Sequence, residues 1–186
     1  MKATDTLMAE HRVILGVLDS LEAAARRLQA GQQVRPGFFL DAARFIREFA
    51  DGCHHRKEEG ALFAAMVAAG MPREAGPVGV MLFEHEEGRQ FTRGMAEAAG
   101  RLEAGEAGAA REVATNALGY VNLLRQHIVK EDRVLFPMAA QVIPAGRQPA
   151  LDAEFERIEL EETGPGAHEQ YEALAVALAR EAGAGA

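Results

Sequence analysis

Apolar residues recur along most of this chain at alternating steps of three and four, the spacing of one face of an α-helix. From about Asp5 to Ala30 the stripe is Leu7, Ile14, Leu18, Leu21, Ala25 and Leu28, and His11 fills the position between Leu7 and Ile14. Gly31 to Pro36 interrupts the pattern, and Pro36 is placed to open the next helix, because proline at a first helical position gives up no needed donor. A second helix is expected over about Pro36–Ala69, stopped by Gly70, Met71 and Pro72. A third begins between Pro72 and Pro77 and ends near Gly105. Its inner stripe is Val78, Met81, His85, Gly88, Thr92, Met95, Ala99 and Leu102. The fourth is expected from about Ala107 to Phe136, ended or kinked by Pro137. Val113, Ala117, Tyr120, Leu124, His127, Glu131, Val134 and Met138 define its inner face.

Beyond Pro144 the texture changes. A short acidic helix is expected over Pro149–Glu162, a break at Gly164–Gly166, and one more helix over Ala167–Ala182. The pattern leaves open whether this tail packs on the preceding helices or extends from them. The fold class that follows is all-α: an up-down-up-down four-helix bundle over residues 1–142 with a C-terminal helical extension over 143–186.

The chemistry concentrates in Cys53–Phe63, CHHRKEEGALF. His54 and Glu58 stand four apart, as do His55 and Glu59, so each pair shares a helix face, the second turned by about 100° from the first. A third such pair, His127 and Glu131, lies in RQHIVKEDRVLFP. His11 and His85 stand alone inside apolar stripes. In an up-down bundle with short connections these residues are level. His11 lies about 19 residues before the end of its helix and His54 about 18 after the start of the next, each roughly 28 Å from the shared turn. His85 and His127 each lie about 20 residues from the third connection. A single buried histidine is usually a core residue satisfied by its neighbours; four in one layer, two with i+4 glutamates, point to metal. Imidazole with carboxylate and no thiolate suits iron, manganese or zinc. Two metals need anionic ligands between them, for which Glu58 and Glu131 are placed, whereas six or more ligands are too many for one tetrahedral zinc. Glu10, Glu84 and Glu86, beside His11 and His85, are candidates to accept a free ring N–H.

Composition narrows the function. The net charge of −8 comes without a basic cluster, which excludes nucleic acid as a natural partner. No stretch of about 18 apolar residues occurs, and the N-terminus lacks a cationic segment followed by an apolar run, so no membrane partner is expected. A single cysteine, Cys53, fits a reducing, cytoplasmic setting and reads as a small core residue.

The order H…HxxxE…H…HxxxE, with the flanking texts EHRVI, CHHRKEEGALF, EHEEGR and RQHIVKEDRVLFP, resembles the hemerythrin-like (HHE cation-binding) domain over about residues 1–142. The resemblance implies a four-helix bundle holding two non-haem iron ions per chain, oxo- or hydroxo-bridged, with glutamates between them. The ligands it implies are His11, His54, Glu58, His85, His127 and Glu131, and a further one at His55 or Glu59, of which His55 is taken. The oxygen-carrying members have HxxxH on the third helix and HxxxxD on the fourth; here Arg89 stands four residues after His85, and the fourth-helix pair is read as His127 with Glu131. Cluster-repair members carry a cysteine-bearing N-terminal domain and a further histidine after the first helix; here the first helix is expected to start near the N-terminus, and no histidine lies between His11 and His54. The implied function is binding or sensing of a small oxidant or gas: dioxygen, nitric oxide or peroxide. The alternatives are a di-iron enzyme acting on peroxide, and iron homeostasis or iron–sulfur repair with a protein partner left unidentified. An enzyme needs proton donors near the metal, for which Lys57, Lys130 and Tyr120 are the candidates.

Overall fold

The computed structural model describes residues 1–162 and 167–183, so the expected break at 164–166 lies outside the described residues. The architecture is all-α. The first rod of the bundle is α1 (Lys2–Gln29) and the second runs from α2 (Pro36–Phe45) to α3 (Phe63–Ala68). The third is α4 (Gly76–Glu103), and the fourth joins α5 (Ala109–Lys130) to α6 (Phe136–Val142). Pro36 and Pro77 each sit in the first turn of their helix. Gly31 (φ 74°) and Gly105 (φ 78°) follow the ends of α1 and α4 in the left-handed region, where a side chain would be strained.

The second and fourth rods are not plain α-helix. Ile46–His55, Glu58–Leu62 and Glu131–Leu135 are wound as π-helix, with hydrogen bonds to the fifth residue back. These segments carry His54, His55, Glu58, Glu59 and Glu131, with His127 on α5 one turn before the last. Their winding decides between the two readings of Pro137 and corrects one expectation. The fourth rod continues past Pro137 to Val142, because the π turn before it places Pro137 in the first turn of a new α segment, where its missing N–H is not needed. The inner face also moves by one residue after Glu131. Leu135, Phe136 and Ala139 are buried there, whereas Val134, expected inward, is 49% exposed and Met138 only half-buried.

The core comes in two parts. One apolar cluster holds Ile14, Leu18, Phe45, Phe49, Met95, Val121 and Leu124 among others. The second holds Leu7, Leu62, Phe63, Met66, Met81, Leu135 and Phe136. His11, His54, His85 and His127 fall between residues of the two clusters on their own rods, so the polar layer is closed by apolar side chains above and below. The tail packs on the bundle. Leu151, Phe155 and Ile158 of α7 (Gln148–Glu162) join the second cluster, and Leu178 and Ala182 of α8 (Ala167–Ala182) join the first. Tyr171 meets Phe49 at a ring distance of 5.6 Å, and Arg35 grips Glu181 at 3.0 and 2.8 Å. No helix of the described residues is long and apolar enough to cross a membrane.

Candidate metal centre

All seven side chains named from the sequence are brought into one buried layer, each 2% exposed or less. α1 supplies His11, the second rod His54, His55 and Glu58, α4 supplies His85, and the fourth rod His127 and Glu131. Their donor atoms form two groups, each within 4.8 Å: His11, His54, Glu58 and Glu131 in one, and His55, Glu58, His85 and His127 in the other. The adjacent histidines therefore serve different groups, as their angular offset on the rod requires. Glu58 belongs to both, with Oε1 3.6 Å from His54 Nε2 and Oε2 3.4 Å from His85 Nε2. Glu131 also spans the two, with Oε2 3.2 Å from His11 Nε2 and Oε1 3.1 Å from His127 Nε2.

Behind each imidazole stands a carboxylate. His11 Nδ1–H donates to Asp132 (2.8 Å), His54 to Glu10 (2.8 Å), His55 to Asp51 (2.9 Å), His85 to Glu59 (2.8 Å) and His127 to Glu84 (2.9 Å). These bonds fix one tautomer and leave every Nε2 lone pair aimed at the centre. The expected supports were partly misassigned. Glu10 serves His54 rather than its neighbour His11, and Glu84 serves His127 rather than His85. Glu86 is half exposed and pairs with Arg89 and Arg93 instead. Asp132 and Asp51 were missed, and Glu59, weighed as a ligand, holds His85 from behind. Only Asp51, four residues before His55, carried a local signal; the others reach across the bundle.

The supports are in turn held by cations: Lys57 donates to Glu10, Lys130 to Glu84, and Arg89 to Glu59. Lys57 is fully buried. Lys57 and Lys130 therefore stand on the far side of the imidazoles from the centre. The Cys53 thiol is pushed up to about 11 by burial, which fits a packing role.

The residues fit a metal on their own chemistry. His85 Nε2 and His127 Nε2 lie 3.0 Å apart although both rings use Nδ1–H elsewhere, so two lone pairs face each other unless a cation lies between. Among the described residues, the buried side-chain polar atoms without a partner are His11 Nε2, both oxygens of Glu58, both of Glu131 and Tyr120 Oη. All but the last are donor atoms of the layer. Protonation in the metal-free protein follows from burial and neighbours. Burial and the nearby Glu131 push the Glu58 carboxyl well up. Burial acts the same way on Glu131, but His127 and His11 outweigh it and hold that carboxyl well down. Burial opposes charge on His127, yet Glu131 and Glu84 hold its pKa at about 9. Burial dominates at His54, which falls to about 4.

Residues 2–139 match the family described as hemerythrin HHE cation binding domain. The chain belongs to that family. Curated proteins that the chain is similar to include uncharacterised proteins of Mycobacterium tuberculosis and Mycobacterium bovis. Each is 29% identical over 143 residues, which is 77% of this chain and 55% of the relative. The chain thus spans about half the length of the curated relatives it matches. No solved structure matches it. The hemerythrin match ends before α7, so the two tail helices that cover α1 and the second rod lie beyond it.

Proposed function

We propose that this chain binds two iron ions per molecule in the buried layer and uses them to bind or sense dioxygen, nitric oxide or peroxide in the cytoplasm. The observation that carries the reading is the pair of ligand groups sharing Glu58. His11 and His54 would hold one ion and His55, His85 and His127 the other, with Glu58 and Glu131 between them. Five imidazole nitrogens and four carboxylate oxygens make nine donors, which leaves room on two six-coordinate ions for small oxygen or nitrogen ligands. Iron bound there supplies a reversible change of oxidation state and open coordination positions. The protein supplies a dry setting, since apolar clusters close the layer on both sides.

Binding is favoured over turnover because the candidate donors Lys57 and Lys130 are committed to Glu10 and Glu84 behind the ligand rings, and burial pushes the third, the Tyr120 hydroxyl, well above its ordinary pKa, so that it holds its proton. Neither amine stands on the side of the rings where a bound molecule would need a proton. The acidic charge of −8 supports the expectation that nucleic acid is not a partner.

The deciding measurement is metal content with visible absorption after anaerobic reconstitution with ferrous iron and exposure to air. About two irons per chain, with charge-transfer bands that change on adding azide or nitric oxide, are expected. One zinc per chain, or no bound metal, refutes the reading. Sustained peroxide consumption by the iron-loaded protein, lost in Glu58→Ala, would replace binding by catalysis as the function.

A further inference from the structure

Two of the five ligand histidines depend on a single cation. Arg89 Nη2 donates to Glu59 Oε1 at 2.5 Å, and Arg89 Nε lies 3.7 Å from Asp51 Oδ1. These are the same two oxygen atoms that accept from His85 Nδ1 and His55 Nδ1. The two imidazoles are stacked, with centroids 3.8 Å apart and planes at 15°, so neither can turn without displacing the other. Both belong to one ligand group, that of His55, Glu58, His85 and His127.

The two supports that Arg89 holds are in contact with water, as is Asp132 behind His11, which is 30% exposed. Arg89 and Glu59 are each 30% exposed and Asp51 16%. Arg89 and Asp51 line two surface cavities at once. One, of about 410 Å³, lies against Ala43, Thr92 and Ala96, and the other, of about 470 Å³, against Arg56, Gly60 and Ile158. The support of His54 is different: Glu10 is 3% exposed and its cation Lys57 is sealed from solvent. A carboxylate facing water can exchange its imidazole N–H for solvent, and a guanidinium forked across two such carboxylates prevents this at both.

We propose that Arg89 is a positioning residue for one metal position only, that of His55, His85 and His127. It fixes both supporting carboxylates, so the stacked imidazoles present their Nε2 atoms to the ion as a unit. Losing Arg89 therefore weakens this position and leaves the His11/His54 position, whose supports it does not touch, unchanged. The inference rests on the two-metal reading.

The test is anaerobic titration of the full-length metal-free chain with Co(II) as the probe, followed by its visible bands. Wild type is expected to take two ions. Arg89→Gln is expected to weaken one binding step by about 10- to 100-fold and leave the other unchanged. Arg89→Lys, which keeps the charge but cannot reach both carboxylates, falls between them. Arg93→Gln, which loses only the exposed contact to Glu86, behaves as wild type. Proton NMR of the Co(II)-loaded protein reads the positions separately: the exchangeable Nδ1–H signals of His55 and His85 exchange faster with solvent in the Gln variant, and those of His11, His54 and His127 do not. Two ions bound with wild-type affinity by Arg89→Gln, or both steps weakened equally, overturns the inference and leaves the two-metal reading standing. A single ion in the wild type overturns that reading itself.

Discussion

Replacing Lys57 by methionine probes the support behind His54. The lysine is fully buried, its amine donates to Glu10 Oε1, and Glu10 Oε2 accepts from His54 Nδ1–H. Methionine has similar length and apolar bulk, so the change removes a charge and leaves packing nearly intact. Glu10, itself 3% exposed, is then a buried carboxylate facing only one imidazole N–H. Removing one partner of a buried pair costs about 3–5 kcal/mol because the other charge is stranded. For a chain of this length that is a fall in melting temperature of roughly 6–20 °C. The double variant Lys57→Met/Glu10→Gln removes the stranded charge and keeps an amide oxygen for His54, so its loss should be smaller than that of Lys57→Met by about 2 kcal/mol. Urea unfolding of the metal-free protein at pH 7, followed by far-UV circular dichroism, measures both. The sign of the pH dependence is set by Glu10. Burial raises its pKa, but His54 and Lys57 outweigh this and hold it below the ordinary 4.5. Its contribution is present above 4.5 and is lost as pH falls through the folded value, so the penalty of Lys57→Met shrinks in acid. A loss below about 1 kcal/mol for Lys57→Met, or a double variant less stable than the single one, would refute the stranded-charge argument.

In the metal-free protein His127, held at about 9, contributes stability that is full below 6.5 and lost as pH rises through 9. His54, held at about 4, contributes stability present above 6.5 and lost as pH falls through 4. The urea midpoint should therefore decline on both sides of neutrality, and a midpoint climbing steadily from pH 7 to 10 contradicts this. Tyr120→Phe removes a fully buried hydroxyl without a partner and should leave stability unchanged or raise it by about 1 kcal/mol in thermal melts; a clear loss would reveal a hidden partner for that hydroxyl. Leu135→Ala should cost about 2–5 kcal/mol and Val134→Ala less than about 0.5, because the π turn buries the former and exposes the latter. Equal losses at the two positions would mean that the fourth rod is an unbroken α-helix.

The four rods and six residues of the layer were legible because period and level are properties of single segments; His55 entered only through the resemblance, as an alternative to Glu59. A stripe such as Leu7–Leu28 needs only the 3.6-residue repeat, and the depth of His11 against His54 needs only the rise per residue. What stayed hidden was relational. His11 and Asp132 are 121 residues apart, and His85 and Glu59 are 26 apart on different rods, so neither bond leaves a trace in local spacing. Glu10 illustrates the trap. Adjacency to His11 suggested that partner, but neighbours in a helix point about 100° apart, and Glu10 faces the second rod instead. The π turns have no residue signature of their own, which is why the inner face was misplaced at Val134 and why Pro137 could be read as either an end or a kink. The docking of α7 had a visible basis in Leu151, Phe155 and Ile158, spaced by four and three; the pattern named an apolar face without naming its partner.

The charges of the layer bear on how many ions it takes. Two carboxylates, Glu58 and Glu131, stand inside, and five more, Glu10, Asp51, Glu59, Glu84 and Asp132, hold the imidazoles. Three cations, Lys57, Arg89 and Lys130, bond to members of the outer set. The carboxylates outnumber these cations, and Lys57 and Arg89 are shared further with Glu159 and Glu86, so the layer carries an excess of negative charge. Two divalent ions offset more of that excess than one, between apolar clusters where uncompensated charge is most costly. Without metal the layer neutralises itself by holding protons, which is the sense of a Glu58 carboxyl pushed well up and a His127 held at about 9. Metal uptake must displace those protons, so binding should weaken as pH falls and should release protons into a weakly buffered solution. The seal of apolar side chains and the excess of carboxylates thus work together: the same burial that makes the empty layer hold protons favours a pair of cations over one.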